Sequence, residues 1–363
     1  MIARNILAVA QVESLRLIRS RVTFTLLLLV PLLQVLLFGF AIRPEAASVS
    51  VAVAAPTPES ASNVVEALRK DRRFRLVGKV MAPGGAALAA RHGTALIGIE
   101  IPELRSFANL RAPIVPVRII VDATNPTLTT AAAAQIEARY WQELAQQADA
   151  GGPGLKIERL YNPQGRADWT FLPALAGVTV MIAMIMLGSL AVSREREGGT
   201  WETLQSLPLG AGEVLIGKIL PGTILGTVQG AIVLAIGVGL FDVPMRGSLL
   251  ALVALLPLFA ATHLVIGYAI SSRAATQLAA LQGAVAFYLP AMLLSGFLYP
   301  FETLPRWAQV IGNAFPLSHF IRAAQGTTLR GYAASTIFEH GWPMLIALLA
   351  AACAALLLRP RSN

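Results

Sequence analysis

Cysteine is almost missing from this sequence of 363 residues, which contains only Cys353. A single cysteine excludes an intrachain disulfide, a zinc site made of thiolates and a redox pair. Its setting, Ala-Ala-Cys-Ala-Ala, is typical of a small residue in a last apolar helix. Histidine is scarce as well, and His92, Asp122, Glu302 and His340 show no spacing typical of a metal centre or a catalytic triad. We therefore predict no metal site and no catalytic chemistry.

Charge is the second scarcity, since only 13% of the residues are charged while 55% are hydrophobic. The mean hydropathy is +0.64. An ordinary soluble protein is about 45–50% apolar and about 25% charged, so a membrane protein is expected. The net charge of +9 comes from arginines spread over short loops and one polar block, without a basic stripe interleaved with aromatics. Lipid headgroups and topology therefore explain it better than a nucleic acid does.

Long apolar segments are what the sequence has instead. Crossing a hydrocarbon core as a helix takes about 20 residues. The segment 22–42 is long enough, and it exceeds the 7–15 residues or so of a signal peptide's apolar region, so we interpret it as a span and not as a cleaved signal. Five more spans are predicted at 169–192, 214–240, 248–270, 276–299 and 342–358. The sequence thus predicts an α-helical polytopic membrane protein with six transmembrane helices.

Two further segments are amphipathic but are not expected to cross. Residues 1–21 predict an interfacial helix. Its apolar sector holds Ile2, Ile6, Ala10 and Leu17, opposite a polar sector with Arg4, Gln11 and Arg19. Glu13 intrudes on the apolar sector. Residues 307–321 are half apolar and too short to cross, which predicts a surface or re-entrant helix.

The block 43–168 contains proline, glycine and charges of both signs, and no window in it is apolar enough to cross. Short stretches rich in valine and isoleucine predict strands at 48–54, 74–80, 94–101, 115–121 and 155–161. Helices are predicted at 58–70 and 128–147. We therefore predict a small α/β domain inserted between the first two spans.

Orientation follows from the lysines and arginines in the short flanks of the spans. With the N-terminus inside, the inner flanks hold ten such residues and the short outer flanks hold four, namely Arg246, Arg306, Arg322 and Arg330. We therefore expect residues 1–21 and the tail 359–363 to be cytoplasmic and the block 43–168 to be extracytoplasmic. The polar stretch 193–208 then lies in the cytoplasm.

This stretch predicts a short helix on a charged stalk. Gly198 and Gly199 let the chain leave the preceding helix, Thr200 is a good N-cap residue, and Pro208 ends the new helix. Trp201, Leu204 and Leu207 recur at three-residue spacing on one face. Such a helix lies in the lipid interface or inserts into a groove on a cytosolic partner, and its physical chemistry leaves both open.

Several motifs have simpler interpretations than their patterns suggest. Residues 212–218 spell G-x-x-x-x-G-K, but Ile219 stands where a phosphate-binding loop needs Ser or Thr, and the segment runs into a span, so nucleotide binding is rejected. Gly222, Gly226 and Gly230 allow another helix to approach closely, and packing within one subunit is favoured over dimerisation.

Polar residues inside the spans are few. His263 is interpreted as a neutral side chain bonded to a neighbouring helix in preference to a proton relay, because no intramembrane acid accompanies it. Gln34, Gln229 and Gln282 are open between interhelical hydrogen bonds and contact with a transported molecule. We therefore regard Gln229, His263 and Gln282 as candidate pathway residues.

The run Arg-Glu-Arg-Glu-Gly-Gly-Thr-Trp-Glu-Thr-Leu at 194–204, followed by Pro208-Leu209 and by Gly217-Lys218 with Pro221, resembles the signature of permease subunits of type-2 ABC exporters. Other landmarks extend the resemblance over nearly the whole chain, at 99–102, 121–122, 161–163, 315–320 and 329–331. They resemble in particular the subgroup with a large extracytoplasmic domain between the first two spans. Trp201, Gly198 and the pair Ser318-His319 depart from the usual pattern.

The resemblance implies that residues near 194–213 form a coupling helix that docks on a separate ABC ATPase. Trp201 and Leu204 would fill the apolar centre of the dock, and Glu202 with the Arg194–Glu197 cluster would hold it by charge pairs. The implied coupling residues are Arg194, Glu195, Arg196, Glu197, Gly199, Thr200, Trp201, Glu202, Leu204 and Pro208. This chain would bind no cofactor itself, since ATP and Mg²⁺ would be bound by the ATPase.

The implied function is export of a hydrophobic or amphipathic small molecule, drug-like or lipid-like, across a bacterial inner membrane. The implied partners are ABC ATPases, a second permease copy or homologue, membrane lipid and a periplasmic adaptor. An alternative is a membrane-anchored receptor or adaptor that senses a ligand through 43–168. Five spans after that block disfavour a sensor, which needs only one or two. An intramembrane enzyme is disfavoured because the spans lack paired acids and His-Glu-x-x-His.

Overall fold

The computed structural model describes residues 2–20, 31–37, 49–70, 74–92, 94–101, 118–121, 166–299 and 304–357, with single positions at 25, 29, 39, 136, 162 and 301. The chain divides into two compact units. One comprises Met1–Ile42 and Gly165–Asn363, and the other comprises Arg43–Gln164.

The smaller unit contains a four-stranded sheet in the order β2-β1-β3-β4. Its strands are β1 (Val49–Ala54), β2 (Phe74–Leu76), β3 (Ile97–Glu100) and β4 (Arg118–Val121). β1 is parallel to both neighbours, while β3 and β4 are antiparallel. Four predicted strands thus exist in shortened form. The strand predicted at 155–161 and the helix predicted at 128–147, apart from residue 136, lie outside the described residues.

Two helices flank this sheet on opposite faces. α2 (Ser62–Lys70) follows a 3₁₀ turn at Glu59–Ala61, and α3 is Gly85–Arg91. Side chains alternate along β1, so its valines pack in one cluster with α2 while its alanines pack in another with α3. α3 was not predicted, because its run of alanines lacks an amphipathic pattern.

The larger unit is helical. It contains α1 (Ile2–Arg19), α4 (Ala167–Glu197), α5 (Trp201–Ser206), α6 (Ala211–Phe241), α7 (Leu249–Arg273) and α8 (Gln277–Leu294). After these come α9 (Arg306–Ala314), α10 (Pro316–Gln325), a π-helical turn at Gly326–Arg330, α11 (Ala334–Glu339) and α12 (Gly341–Leu357).

Among the described residues, five helices are long and apolar enough to cross a membrane: α4, α6, α7, α8 and the continuous stretch Ala334–Leu357. They correspond to the last five predicted spans. Most of the first, at 22–42, lies outside the described residues, although 31–37 are helical and Val35 is buried in the bundle core. The chain is therefore a mostly helical polytopic membrane protein.

The centre of the bundle is packed around glycines of α4, α6 and α7. A Cβ atom on Gly188 of α4 would lie 2.2 Å from the carbonyl oxygen of Leu264, and one on Gly267 of α7 would lie 2.4 Å from that of Ile185. The two helices cross with their backbones almost in contact. Ser271 lies one turn further along α7, and its Oγ accepts the backbone N–H groups of Val192 and Ser193, at 3.0 and 2.9 Å.

The three glycines of α6 face helices of the same chain. Gly222 contacts Leu187 and Leu264, and Gly226 contacts Met184 and Ala260. Gly230 contacts Val180 and Leu256 in the same way. All three are buried, so they serve packing within one subunit.

The single helix predicted at 307–321 is in fact two helices, α9 and α10. Phe315 between them is extended, with φ −83° and ψ 128°, and Pro316 occupies the first turn of α10. Proline disfavours a helical residue before it and favours the first helical position, which explains the break. On α9, Trp307 and Val310 remain 64% and 73% exposed, as expected for a helix at a membrane surface.

Candidate functional site

The stretch resembling the exporter signature connects α4 to α6 through a tight turn and a short helix. α4 continues five residues past its predicted span and ends at Glu197, and Gly199 has φ +67°, a conformation that glycine adopts without strain. α5 then begins at Trp201. Leu207 is extended before Pro208, so α5 is shorter than predicted.

Thr200 holds the N-cap position of α5 but does not cap it. Its backbone is helical, with φ −90° and ψ −7°, and no side-chain capping bond forms. Its hydroxyl lies 3.4 Å from the carbonyl oxygen of Glu195 instead. The predicted capping role is therefore wrong, because the turn directs the hydroxyl back onto α4.

Glu195 is the centre of a buried charge network between three helices. Its Oε1 lies 2.6 Å from Nζ of Lys218 on α6 and 3.1 Å from Nη1 of Arg16 on α1. Glu13 of α1 completes the group, with Oε2 3.7 Å from Nζ of Lys218 and 3.4 Å from Arg16. We call these four residues the Glu195 network. The Glu195 and Lys218 side chains are only 7% and 3% exposed.

The two residues after Glu195 tie α4 to two other helices. Arg196 donates to the carbonyl oxygens of Ser272 and Ala274, both at 3.0 Å, where α7 ends and carbonyls lack intrahelical donors. Glu197 accepts the backbone N–H of Gln277 at 2.7 Å and a bond from its side-chain amide. A carboxylate is favourable there because Gln277 begins α8, the positive end of its dipole.

These contacts show that most of the charged cluster is engaged within the chain. Glu195, Arg196 and Glu197 are bonded to other helices of the same chain, and their pairing with a partner stays a prediction. Arg194 is partly exposed. Of the four residues in the cluster, it alone has no side-chain hydrogen bond to another described residue.

Trp201 requires a second correction. Its side chain is only 8% exposed and packs with Val192 of α4, Leu215 of α6 and Tyr268 of α7. Leu204 packs partly against the same cluster. The amphipathic face of α5 therefore points into its own subunit and does not fill the centre of a partner's groove. The Arg196 guanidinium lies 5.8 Å from the Trp201 ring centroid and covers it from the α4 side.

What α5 presents outward is a different set of side chains. Glu202, Thr203 and Ser206 are exposed, and Leu207 is 49% exposed beside exposed Pro208. We call these five residues the outward face of α5. It combines one carboxylate, two hydroxyls and a small apolar tip on a segment anchored from behind.

Glu13, Arg16 and Lys218 were not predicted as members of this site. Glu13 seemed an intruder on an apolar face, and Lys218 was noted only in the rejected G-x-x-x-x-G-K pattern and in the exporter signature. That pattern lies within the continuous helix α6 and not in a loop, so the rejection agrees with the structure. An acid on the apolar face of one helix and a lysine at the start of a span could have been matched by charge, because both need a partner when buried.

α1, predicted to lie in the membrane interface, also packs against α6. A Cβ on Gly217 would lie 2.6 Å from Cβ of Val9, so the helices pack closely. Asn5 donates to Glu213 at 3.1 Å. Ile2, from the predicted apolar sector, is 66% exposed, whereas Glu13, which intrudes on that sector, reaches Lys218 of α6.

Among the described residues, no hydrogen bond joins the candidate pathway residues to one another. Gln229 is buried and donates to the carbonyl oxygen of Thr179 on α4 at 3.3 Å. His263 is fully buried, and its Nδ1 donates to Phe259 of its own helix at 2.9 Å, not to a neighbouring helix as predicted. Its Nε2 and Gln229 Oε1 have no partner among the described residues. Gln282 lies on an exposed face of α8.

No group of three or more metal-ligating side chains occurs within the part of the chain that the structure describes. We use the name polar junction for the Glu195 network, the Arg196 and Glu197 bonds, and the outward face of α5 taken together. It joins α1, α4, α5, α6, α7 and α8 at one end of the bundle.

Known proteins with similar sequences show the family in which this arrangement occurs. A family model described as ABC-2 type transporter matches residues 137–329, more than half of the chain. The chain is 29% identical over 335 residues to the probable multidrug ABC transporter permease YbhR of Escherichia coli (strain K12), covering 91% of each. It is 26% identical over 347 residues to the probable multidrug ABC transporter permease YbhS of the same strain, covering 90% of this chain and 89% of the relative.

A further relative is the inner membrane transport permease YhhJ of the same strain, 32% identical over 213 residues, which is 57% of this chain and 55% of the relative. The matched family region contains the whole polar junction apart from its α1 residues, together with the glycine-packed centre of the bundle. The resemblance drawn from residues 194–221 is confirmed at the level of the family. The family model matches more than half of the chain, and YbhR and YbhS align with most of it. The chain therefore belongs to the ABC-2 type transporter family.

Proposed function

We propose that this chain is the membrane-spanning subunit of an ATP-driven exporter, and that the outward face of α5 is where a separate ABC ATPase docks. The observation that carries the proposal is the contrast within α5. Its apolar side is buried in its own subunit, while Glu202, Thr203, Ser206, Leu207 and Pro208 face outward. Because α5 is packed against its own subunit, a partner that pushes on its outward face would move the subunit and not only the helix.

The polar junction would distribute that force. Displacement of α5 pulls on α4 through the Gly198-Gly199 turn. From α4 the Glu195 network reaches α1 and α6, while Arg196 and Glu197 reach the ends of α7 and α8. ATP and Mg²⁺ would be bound by the ATPase, and its closure would rock the five connected helices between two arrangements of the bundle. This is alternating access driven from one end.

Topology and cargo belong to the same proposal. The distribution of lysine and arginine supports cytoplasmic termini, a cytoplasmic α5 and an extracytoplasmic position for the 43–164 unit in a bacterial inner membrane. Six spans are proposed. They are the five helices described above and the segment 22–42, which comes first along the chain. Relatives named as probable multidrug permeases support a hydrophobic or amphipathic small molecule as cargo, and a second permease copy or homologue would complete the pathway.

The test is co-purification with the cognate ABC ATPase, followed by efflux from cells. Leu207→Asp and Glu202→Arg should each abolish recovery of the complex and efflux, because they place charge on the apolar tip or reverse the carboxylate. Their melting temperatures should match the wild type, since both side chains are exposed. Leu250→Asp, at the opposite end of α7 and 81% exposed, is the matched control and should keep the ATPase bound.

Full recovery of the complex by both α5 variants would overturn the docking assignment. Orientation is read separately from Glu202→Cys in a Cys353→Ala background, which should resist a membrane-impermeant maleimide in intact cells. Rapid labelling of that cysteine in intact cells would place α5 on the outside and overturn the topology.

A further inference from the structure

The surface where α1 meets α6 carries an apolar groove that the transport function does not use. Its walls are Leu7, Ala10 and Leu15 of α1 and Leu220, Pro221 and Ile224 of α6. The groove is open along one side and has a volume of about 530 Å³. This volume falls in the range of about 300–1,000 Å³ typical of sites for small ligands.

The groove walls need an apolar occupant. Leu7 and Leu15 are 56% and 53% exposed, and Leu220 and Ile224 are 39% and 59% exposed. Exposing this much apolar surface to water is unfavourable by roughly 25 cal/mol per Å². Leu220 and Ile224 also belong to an exposed row of α6 at four-residue spacing, with Ile216, Val228 and Ile232. That row is the lipid-facing side of a membrane-crossing helix, so the groove opens toward acyl chains.

Charge identifies the headgroup. Arg4 lies one helical turn before Leu7 and Arg19 one turn after Leu15, and both are exposed. Arg16, by contrast, is bonded to Glu13 and Glu195. Gln11 also lines the groove. Its side chain has no partner among the described residues, so its amide can donate hydrogen bonds to the ester oxygens of a lipid. The described part of α1 has one acid, Glu13, and its charge is matched inside the Glu195 network.

We propose that this groove holds an acyl chain of an anionic phospholipid, with the phosphate beside Arg4 or Arg19. Close packing at Gly217 fixes one wall, because Val9 and the carbonyl of Ile6 lie against it. The lipid would therefore fill a preformed site and hold α1 against α6 at the helix that supplies Glu13 and Arg16 to the polar junction. The inference needs neither the ATPase nor the cargo, only a bilayer around the bundle.

Native mass spectrometry of the full chain released from nanodiscs tests this, using discs of phosphatidylcholine with and without phosphatidylglycerol. Phosphatidylglycerol should be retained in preference to phosphatidylcholine. Arg4→Gln and Arg19→Gln together should weaken its retention, by about fivefold for each arginine that contacts the phosphate. Arg273→Gln, which removes another exposed arginine from the end of α7, is the matched control and should change nothing.

Ile224→Trp should displace the lipid by filling the groove, while Ile232→Trp, two turns further along the same row, should not. Unchanged retention by the double arginine variant and by Ile224→Trp would overturn the proposal. A disulfide between two copies through Leu15→Cys in a Cys353→Ala background would also overturn it, because a second copy would then occupy the groove. Because the assay contains no ATPase, it can fail while the proposed transport function stands, and the reverse also holds.

Discussion

The centre of the bundle and the polar junction at its end hold the same helices by different physical means. At the centre, α4 and α7 cross where Gly188 and Gly267 leave no room for a Cβ atom, and α6 packs onto both through three glycines. At the junction, these helices are joined by two acids and two bases, of which Glu195 and Lys218 are buried, and by the bonds from Arg196 and Glu197. The centre determines how closely the helices lie. In the proposed mechanism, the junction determines which helices follow α5 when it moves.

The largest expected effect comes from removing one charge of the junction. Glu195→Ala removes the acid 2.6 Å from buried Lys218 and leaves only Glu13 at 3.7 Å, and breaking a buried pair costs about 3–5 kcal/mol. Thermal unfolding in detergent should show a large fall in melting temperature. The control is Glu195→Leu with Lys218→Met, which removes both charges and should recover most of the loss. A single variant as stable as the wild type would show that the network does not hold the helices.

Next in size is a test of the glycine contacts at the centre. Gly188→Ala adds a methyl group where a Cβ would be 2.2 Å from the Leu264 carbonyl oxygen, and overpacking of this kind costs about 1–3 kcal/mol. Gly239→Ala is the matched control, because nothing lies within 4 Å of its Cβ position on α6. It should leave the melting temperature unchanged or raise it, since alanine favours helix. Equal behaviour of the two variants would contradict close packing at the centre.

The smallest expected effect is at the turn between α4 and α5, beside the polar junction. Gly199→Ala places an L-residue at φ +67° and should cost about 1–2 kcal/mol, although no atom lies within 4 Å of its Cβ position. Asparagine tolerates this conformation better, so Gly199→Asn should unfold at a higher temperature than Gly199→Ala. Chemical denaturation would compare the two. If alanine is the better tolerated residue, the positive φ is not required at the turn.

The long apolar segments made the membrane-crossing helices predictable, because each is defined by neighbours in the sequence. α4 still extends beyond its predicted end, since Arg194 to Glu197 favour helix and the last three of them find partners on other helices. The break at Phe315 was missed although Pro316 signals it. Local patterns therefore predict that an element exists better than where it ends.

The partners within the site could not be predicted in the same way. Glu195 bonds to Arg16 and Lys218, which are 179 and 23 positions away, and no local pattern joins them. The periodicity correctly placed Trp201 and Leu204 on one apolar face but wrongly added Leu207, which is extended and exposed, and it carries no information on which molecule that face meets. That choice depends on Val192, Leu215 and Tyr268 coming together in the fold.

The charges of Glu13, Arg16, Glu195 and Lys218 cancel, and the central pair, Glu195 and Lys218, is buried. The network and the outward face of α5 should therefore respond differently to salt. Buried pairs are screened by salt much less than exposed ones. High salt should therefore release a partner bound through Glu202 on the outside of α5 while the Glu195 network stays intact. A salt wash of the assembled transporter would then remove the ATPase and leave a folded membrane subunit, ready to be supplied with a fresh ATPase.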